Sequence, residues 1–228
     1  KRRCWTSMRS GAGSVQDFPA MLVEWFRKEG KRAFSFRGES DPFKVLCLAL
    51  MLQKTKAELV DRVYRSFVER FPSPEALAKA SLEEIKEVIK PIGMYNRRAK
   101  RFKEIAEVLL EKHGGKVPRS EEELLSLPGV GKYSASVVRC VAFGADNVLV
   151  DTNVVRIAKR LGIANSAEQA YAALERIVPK GMRKEFNLAM IDFGAKVCKA
   201  RNPNCVECFL AGLCEYARVG KRQRSSSR

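Results

Sequence analysis

Leu127-Pro128-Gly129-Val130-Gly131-Lys132-Tyr133-Ser134-Ala135 is the stretch on which the reading of this chain turns. A short run behind Ser120, over about 120–126, precedes it and a longer apolar run over about 132–143 follows. The sequence therefore predicts helix, tight glycine-rich hairpin, helix. Glycines let the backbone come close to a ligand, and a helix beginning at Lys132 points unpaired amide donors and its positive dipole end outward, where a phosphate oxygen fits. Such contacts fix register on a duplex without reading its sequence. The plainer reading is an αα-corner whose glycines only turn the chain.

Outward from the hairpin, apolar residues recur at three- and four-residue spacing, while sustained two-residue alternation is hard to find, so the chain reads as all-α. The first helix is expected over about 17–28, and a second after Ser40-Asp41-Pro42, with Pro early in the first turn where its missing N–H costs nothing. Ser81 with Glu84, Ser120 with Glu123 and Ser166 with Gln169 have capping-box spacing, which predicts amide donors satisfied from both sides. Gly93, Gly114-Gly115, Gly144 and Gly162 follow periodic runs and mark left-handed stops. No internal repeat is found, and low complexity is confined to the first fourteen residues and the Ser-rich tail. Connections are short, as expected of one compact helical body or two lobes.

At 228 residues the chain can bury a core of ordinary size, which excludes a mini-protein stapled by disulfides. A hydrophobic content of 46% against 30% charged argues against disorder over most of it. No apolar run approaches the roughly 20 residues that cross a bilayer, and residues 1–13 lack the apolar stretch of a secretory signal. A soluble, intracellular protein is expected. Against 26 Asp and Glu, 43 Lys and Arg give a formal charge of +17, which favours a polyanion such as nucleic acid over a small neutral substrate. A solvated basic surface is the alternative. Part of the excess lies at the ends, in Lys1-Arg2-Arg3 and Lys221-Arg222-Gln223-Arg224. More telling is Arg97-Arg98-Ala99-Lys100-Arg101-Phe102-Lys103, inside a predicted helix.

The seven cysteines form two populations. Cys4, Cys47 and Cys140 are scattered, the latter two in apolar helical contexts where a thiol acts as a small core residue. Cys198, Cys205, Cys208 and Cys214 have the spacing C-x6-C-x2-C-x5-C. Four such thiolates hold zinc or a 4Fe-4S cluster, and spacing alone leaves both open; disulfides fit less well, and a reducing compartment suits the pattern. Lys196, Lys199 and Arg201 suggest that this loop also faces phosphates, the alternative being a structural clip. Further upstream, Asp151 opens a helix after the apolar run Asn147-Val148-Leu149-Val150, where a carboxylate also suits a plain N-cap.

The hairpin together with Val150-Asp151-Thr152-Asn153-Val154-Val155-Arg156 resembles the helix-hairpin-helix-Gly/Pro-Asp superfamily of DNA glycosylases, in its endonuclease III-like branch. The likeness extends over 34–214 and takes in Asp41-Pro42-Phe43, Met51-Leu52-Gln53-Lys54-Thr55, Ile92-Gly93-Met94-Tyr95-Asn96 and the four cysteines. It implies an all-α, two-lobed glycosylase fold. A six-helix domain over 33–145 would carry the helix-hairpin-helix, and residues 1–32 plus 146–228 would form an iron-sulfur cluster domain, with DNA in the cleft. It also implies that Cys198, Cys205, Cys208 and Cys214 hold a 4Fe-4S cluster, and that Gly129, Val130, Gly131 and Lys132 grip the DNA backbone.

By the same resemblance, Asp151 is the principal catalytic residue, stabilising the cationic sugar that forms as the base departs and directing the nucleophile. Glycosylases of this kind that also cut the strand carry a lysine at position 133, whose amine forms a Schiff base. Tyr133 stands there, and a phenol cannot make that imine. Lys132 is adjacent, but consecutive helical residues point about 100° apart. The expectation is a monofunctional enzyme that uses water.

Tyrosine within Gly-Lys-Tyr-Ser-Ala is most similar to archaeal thymine-DNA glycosylases acting on G:T and G:U mismatches; some adenine-DNA glycosylases share it. Against the adenine enzymes, Ala49 occupies the place of their essential glutamate, and the chain ends soon after Cys214. Thymine glycosylases can also carry an acid at that place. Oxidised pyrimidines, or a non-catalytic cluster-containing DNA-binding module, remain as alternatives.

A base inside duplex DNA must be extruded, at a cost of a few kcal/mol that is lower for a mismatched pair. The resemblance places Gln53 and Met94 to enter the vacated stack, with Arg97, Arg98 and Arg101 on phosphates; otherwise they read as a solvated Gln and a core Met. About six neutralised phosphates would give a log-log salt slope near −5. His113 is expected to partner a helix C-terminus. The expected partner is double-stranded DNA with a mismatched or damaged base, bound by a monomer in the cytoplasm and nucleoid of a prokaryote, an archaeon by the resemblance.

Overall fold

The structure is a computed structural model that describes residues 14–219; Cys4 and the basic ends at 1–3 and 221–224 lie outside the described residues. Among the described residues it is helical without strands. In chain order the helices are α1 (Phe18–Trp25), α2 (Pro42–Met51), α3 (Ala57–Arg70), α4 (Pro74–Lys79), α5 (Leu82–Ile89), α6 (Tyr95–His113), α7 (Glu121–Ser126), α8 (Lys132–Val141), α9 (Thr152–Leu161), α10 (Ala167–Ile177) and α11 (Arg183–Lys196). The chain divides into two units, one of Ala33–Ala145 and one of Lys1–Arg32 with Asp146–Arg228.

Local capping chemistry explains most of these bounds. The Asp41 carboxylate accepts the Lys44 amide at 2.9 Å with Pro42 in the first turn of α2. Ser81 and Glu84 close a reciprocal box at the start of α5. The other two expected boxes close only halfway. Glu123 takes the Ser120 hydroxyl in place of its amide, and Gln169 reaches one residue further back, to the Asn165 amide at 2.8 Å. The first helix also differs from its expected span: regular α-geometry ends at Trp25 and widens into a π-helical turn over Phe26–Gly30. The Ala33–Ala145 unit holds seven α-helices rather than six. Short α4 escapes the capping-box pattern because Ser73, its N-cap, is followed at the third helical position by Ala76, which has no side chain to reach back.

In the Ala33–Ala145 unit, α6 packs against α4 and α5 while α2 packs against α8. Leu46, Met51, Phe67, Leu77, Ile85, Ile89, Phe102 and Ile105 are sealed inside. Phe67 sits 5.1 Å from the Phe71 ring and 5.0 Å from Phe102. Cys47 and Cys140 are core residues, and burial pushes the Cys47 thiol well above its ordinary range.

The other unit packs α1 on α11 and α9 on both α10 and α11. Its core is aromatic: Trp25 meets Phe193 edge-on at 5.4 Å and stacks on Phe209 at 5.9 Å. Phe209 comes directly after Cys208, so the cysteine loop is anchored by a ring driven into the core. A buried ion pair adds to this, with Arg32 donating to Asp192 from its Nε at 2.7 Å and its backbone amide at 3.0 Å.

Candidate functional site

The hairpin is built as the sequence requires. Leu127 and Val130 are buried and joined by a 3.1 Å hydrogen bond from the Val130 amide, which fixes the turn to the core. Gly129 has a φ of 72°, a left-handed backbone that favours glycine, and the Arg101 side chain lies directly over it, 2.1 Å from where a Cβ would stand. Gly131 is the extended N-cap of α8 and offers no capping side chain, leaving first-turn amides for an anion. Lys132 is exposed beside them.

Two loops flank this hairpin within the same unit, and one buried side chain organises both. Arg98 donates to the carbonyls of Leu50 (2.6 Å), Met51 (3.2 Å), Gln53 (2.7 Å) and Gly93 (3.1 Å), and to the Thr55 hydroxyl (2.7 Å). It is therefore no phosphate ligand, which corrects the expectation. Its neighbour on the helix, Arg97, is exposed. Burial, reinforced by Arg101 and Arg97, lowers the Arg98 pKa from the usual guanidinium value. The Gln53 side chain is engaged as well, its Nε2 donating to Gly129 O and to Ser134 Oγ, each at 3.1 Å.

Met94 is an exposed apolar residue, 45% accessible, in the left-handed region at φ 49°. A non-glycine residue there is a mark of local strain, and strain tends to accumulate at functional loops. His113 lies in the last turn of α6, as expected of a partner for that helix end. Tyr133, half-buried, is the second residue of α8, between exposed Lys132 and buried Ser134. Ala49 is buried within α2.

Asp151 belongs to the other unit. It is the N-cap of α9, its Oδ1 accepting the Val154 amide at 2.8 Å and its Oδ2 accepting Asn153 Nδ2 at 2.9 Å. The capping reading is thus realised, and it also fixes the direction of the carboxylate. The extended run ahead of it is held by residues that sequence reasoning missed. Asn187 accepts the Leu149 amide and donates to Asn147 O, both at 2.9 Å; Glu175 accepts the Val148 amide at 2.9 Å; Arg183 donates to Asp146 O at 2.9 Å. Polar residues on helical faces were the only available signal, and they do not reveal a distant partner.

Cys198, Cys205, Cys208 and Cys214 are free thiols that together line one pocket of about 370 Å³, open solvent included. Leu161, Phe193 and Leu210 supply apolar walls. Among the described residues no three His, Cys, Asp or Glu side chains converge on a single-ion site. Burial pushes the Cys208 thiol up to about 12 and raises Cys214 as well, so these thiols need a cation to ionise. Arg160 is at hand, with Nη1 3.3 Å from Cys198 Sγ. This donor set suits a metal-sulfur group large enough to be ringed by four thiolates. Arg156 and Arg160 donate to the carbonyls of Gly194, Cys198, Lys199 and Ala200 at 2.7–3.1 Å, fastening the start of the loop. Lys199 and Arg201 are exposed. Lys196 departs from the expectation that it faces phosphates, since its Nζ donates to Glu29 O at 3.0 Å and Lys31 O at 3.2 Å and so closes the π-helical turn.

Residues 47–180 match the family described as HhH-GPD superfamily base excision DNA repair protein, and residues 198–214 match the iron-sulfur binding domain of endonuclease III. The chain is 40% identical over 213 residues to a thymine-DNA glycosylase of Aeropyrum pernix, covering 90% of this chain and 96% of that protein. It is 41% identical over 204 residues to an endonuclease III of Thermotoga maritima, covering 88% and 96%. Among solved structures, a thermostable thymine-DNA glycosylase superposes with a TM-score of 0.82 at 32% identity, over 93% of this chain and 98% of the other. A non-covalent endonuclease III-DNA complex gives 0.83 at 31% identity, over 91% and 97%.

Proposed function

The chain belongs to the HhH-GPD superfamily of base excision DNA repair proteins and is a DNA glycosylase with an iron-sulfur site at 198–214, and from that premise we propose a monofunctional enzyme that removes thymine or uracil opposite guanine. The observation that carries this reading is Tyr133 in the first turn of α8, behind the phosphate-binding hairpin. Strand cleavage by a Schiff base needs a primary amine on the sugar carbon, and tyrosine has none to give. Water then takes the nucleophile's part. The C1′–N bond breaks with its electron pair leaving on the base, water adds its oxygen to C1′, and the proton that this water sheds ends on the departed base, leaving a 1′-hydroxyl abasic sugar. The Asp151 carboxylate, aimed by Val154 N and Asn153 Nδ2, stabilises the positive charge that develops on the sugar. The names of the Aeropyrum relative and of thymine/uracil-DNA glycosylases from Pyrobaculum aerophilum (38% identical) and Methanothermobacter thermautotrophicus (37%) support the choice of base.

On the binding side, the amides opening α8, with Lys132 and Arg97, take backbone phosphates, while Met94 and Gln53 fill the space left by the extruded base. Cys198, Cys205, Cys208 and Cys214 would hold a 4Fe-4S cluster, which would supply a covalent clip for the loop. The endonuclease III relative at 41% identity supports a second reading, removal of oxidised pyrimidines.

A panel of G:T, G:U, oxidised-pyrimidine and A:8-oxoguanine duplexes, scored with and without alkali, separates the readings. The first requires base release from G:T or G:U, with strand breaks appearing only after alkali. Breaks without alkali, together with a borohydride-trapped complex, would overturn it.

A further inference from the structure

Directly after α1 the chain makes a π-helical turn over Phe26–Gly30, and at Arg32 it leaves this unit for the other. A π-turn closes through i→i+5 bonds and so holds one residue more than an α-turn. Tightening it to α-geometry would rotate the chain beyond it by about 100° and shift it by about 1.5 Å. Arg32 opposes such a slip. Its amide lies 3.0 Å from Asp192 Oδ2 and its Nε 2.7 Å from Oδ1, and Asp192 is wholly buried, so a register error takes donors away from a carboxylate in the core.

Two further contacts hold the turn, and both belong to the segment that carries the cysteines. Lys196, two residues before Cys198, donates from Nζ to Glu29 O at 3.0 Å and to Lys31 O at 3.2 Å, carbonyls at the end of the turn where no further helical amide follows. Phe209, the residue after Cys208, stacks on Trp25 at 5.9 Å with the rings 22° apart. The Trp25 ring in turn covers Gly30, where a Cβ would stand 2.7 Å from Trp25 Cζ3. Phe209, Trp25 and Gly30 thus form a stack that ends on the last residue of the turn. Asp192 sits inside α11 and stays in place whatever the loop does. Lys196 closes the last turn of α11 and Phe209 lies in the loop itself, so both depend on the loop being organised.

We propose that the π-helical turn is a register latch that the cysteine loop closes. With a metal group on Cys198, Cys205, Cys208 and Cys214, the end of α11 and the Phe209 ring are fixed. Lys196 and Trp25 then hold the extra residue in the turn, and Arg32 meets Asp192. With the loop open, the turn relaxes toward α-geometry and Arg32 slips from its partner. The state of the metal site is thereby carried to the chain segment that leads into Ala33–Ala145. The coupling rests on the reading of 198–214 as a metal-holding loop, and it runs both ways: what loosens the turn also loosens the metal.

Hydrogen exchange and iron release test the latch without any base excision. The metal in the full-length protein is first identified by elemental analysis, and exchange is then followed by mass spectrometry before and after a chelator and a mild oxidant strip the site. Stripping speeds exchange over 26–32 by about tenfold, as expected for losing a pair of bonds from a charged donor, while α3 and α10 stay within about twofold. Gly30→Ala pushes the Trp25 ring aside, and Lys196→Met removes both donors. Each releases iron to a chelator about tenfold faster than wild type, whereas Lys199→Met, just past the first cysteine, matches wild type. Lys196 is exposed, so its variant folds and gives an independent answer if Gly30→Ala does not. Unchanged exchange over 26–32 with 198–214 opened overturns the proposal. So does equal opening of α10, which would mean that the unit melts as a whole, and so does wild-type iron release from Lys196→Met. Zinc in place of iron at the four cysteines sinks the 4Fe-4S reading alone, and stripping the zinc then tests the latch by the same exchange.

Discussion

In the Ala33–Ala145 unit, the loop after α2 and the turn before α6 are held by one guanidinium, Arg98, whose donors reach four carbonyls and a hydroxyl. In the other unit the cysteine loop takes two arginines at its start, one aromatic anchor at Phe209 and a π-face under Arg160 at Tyr216, and it still brings four thiols to one pocket. The first pair of loops is short and leaves well-packed helices directly, so satisfied carbonyls are enough to fix it. The second is long and irregular, and it enters the core mainly through Phe209 and Leu210, with α9 arginines on the carbonyls at its start. Hydrogen bonds alone hold a short loop; a long one needs a covalent hub.

The sharpest way to set the units apart is Asp151→Asn. Asparagine caps a helix as well as aspartate does, so the fold is retained and the melting temperature moves by no more than roughly 1–2 °C. Base release falls by about 10³-fold with DNA affinity kept, because the lost group acts on the developing charge. Normal turnover in that variant would remove Asp151 from the chemistry. Next in size is Arg98→Ala, which leaves several inward carbonyls without donors and costs about 3 kcal/mol in urea unfolding. A cost no larger than that of a surface arginine would break the contrast drawn above.

Cys208→Ser attacks the hub of the second loop. Iron content drops, the melting temperature falls by roughly 5 °C or more, and proteolysis opens within 198–214 while the Ala33–Ala145 unit stays protected. Equal cleavage in both units would show that the hub is not local. The smallest effect distinguishes exposed from engaged cations: Arg97→Ala reduces the log-log salt slope of DNA binding by about one, and Lys196→Ala leaves it unchanged. A lowered slope for Lys196 would contradict its role on the carbonyls of Glu29 and Lys31.

Much of the fold was legible in advance because helix ends are decided by neighbours three residues apart. Asp41, Ser81, Ser120, Asp151 and Ser166 each cap the helix that their spacing announced. The hairpin was legible for the same reason, since its glycines and the helix start at Lys132 are adjacent in the chain. The two errors over basic residues share another origin. Arg97 and Arg98 are consecutive and look alike, yet one is exposed and the other is buried against a loop some 45 residues away in sequence. Lys196 was read as a DNA contact because of the cysteines near it, while its partners come from the π-helical turn that follows α1, on the far side of the sequence.

The amino-acid order by itself settled the helical class, the capped helix starts at Asp41, Ser81, Ser120, Asp151 and Ser166, and the tyrosine at position 133. These depend on residue type and on interactions within one turn, which travel with the local sequence. Tertiary structure decided which cations are left for a ligand, how the Gln53 amide faces, and what holds the strand of chain leading into Asp151. Each of those is an argument about acceptors contributed by remote segments, and a hydrogen bond across dozens of residues leaves no periodicity in the sequence to be read.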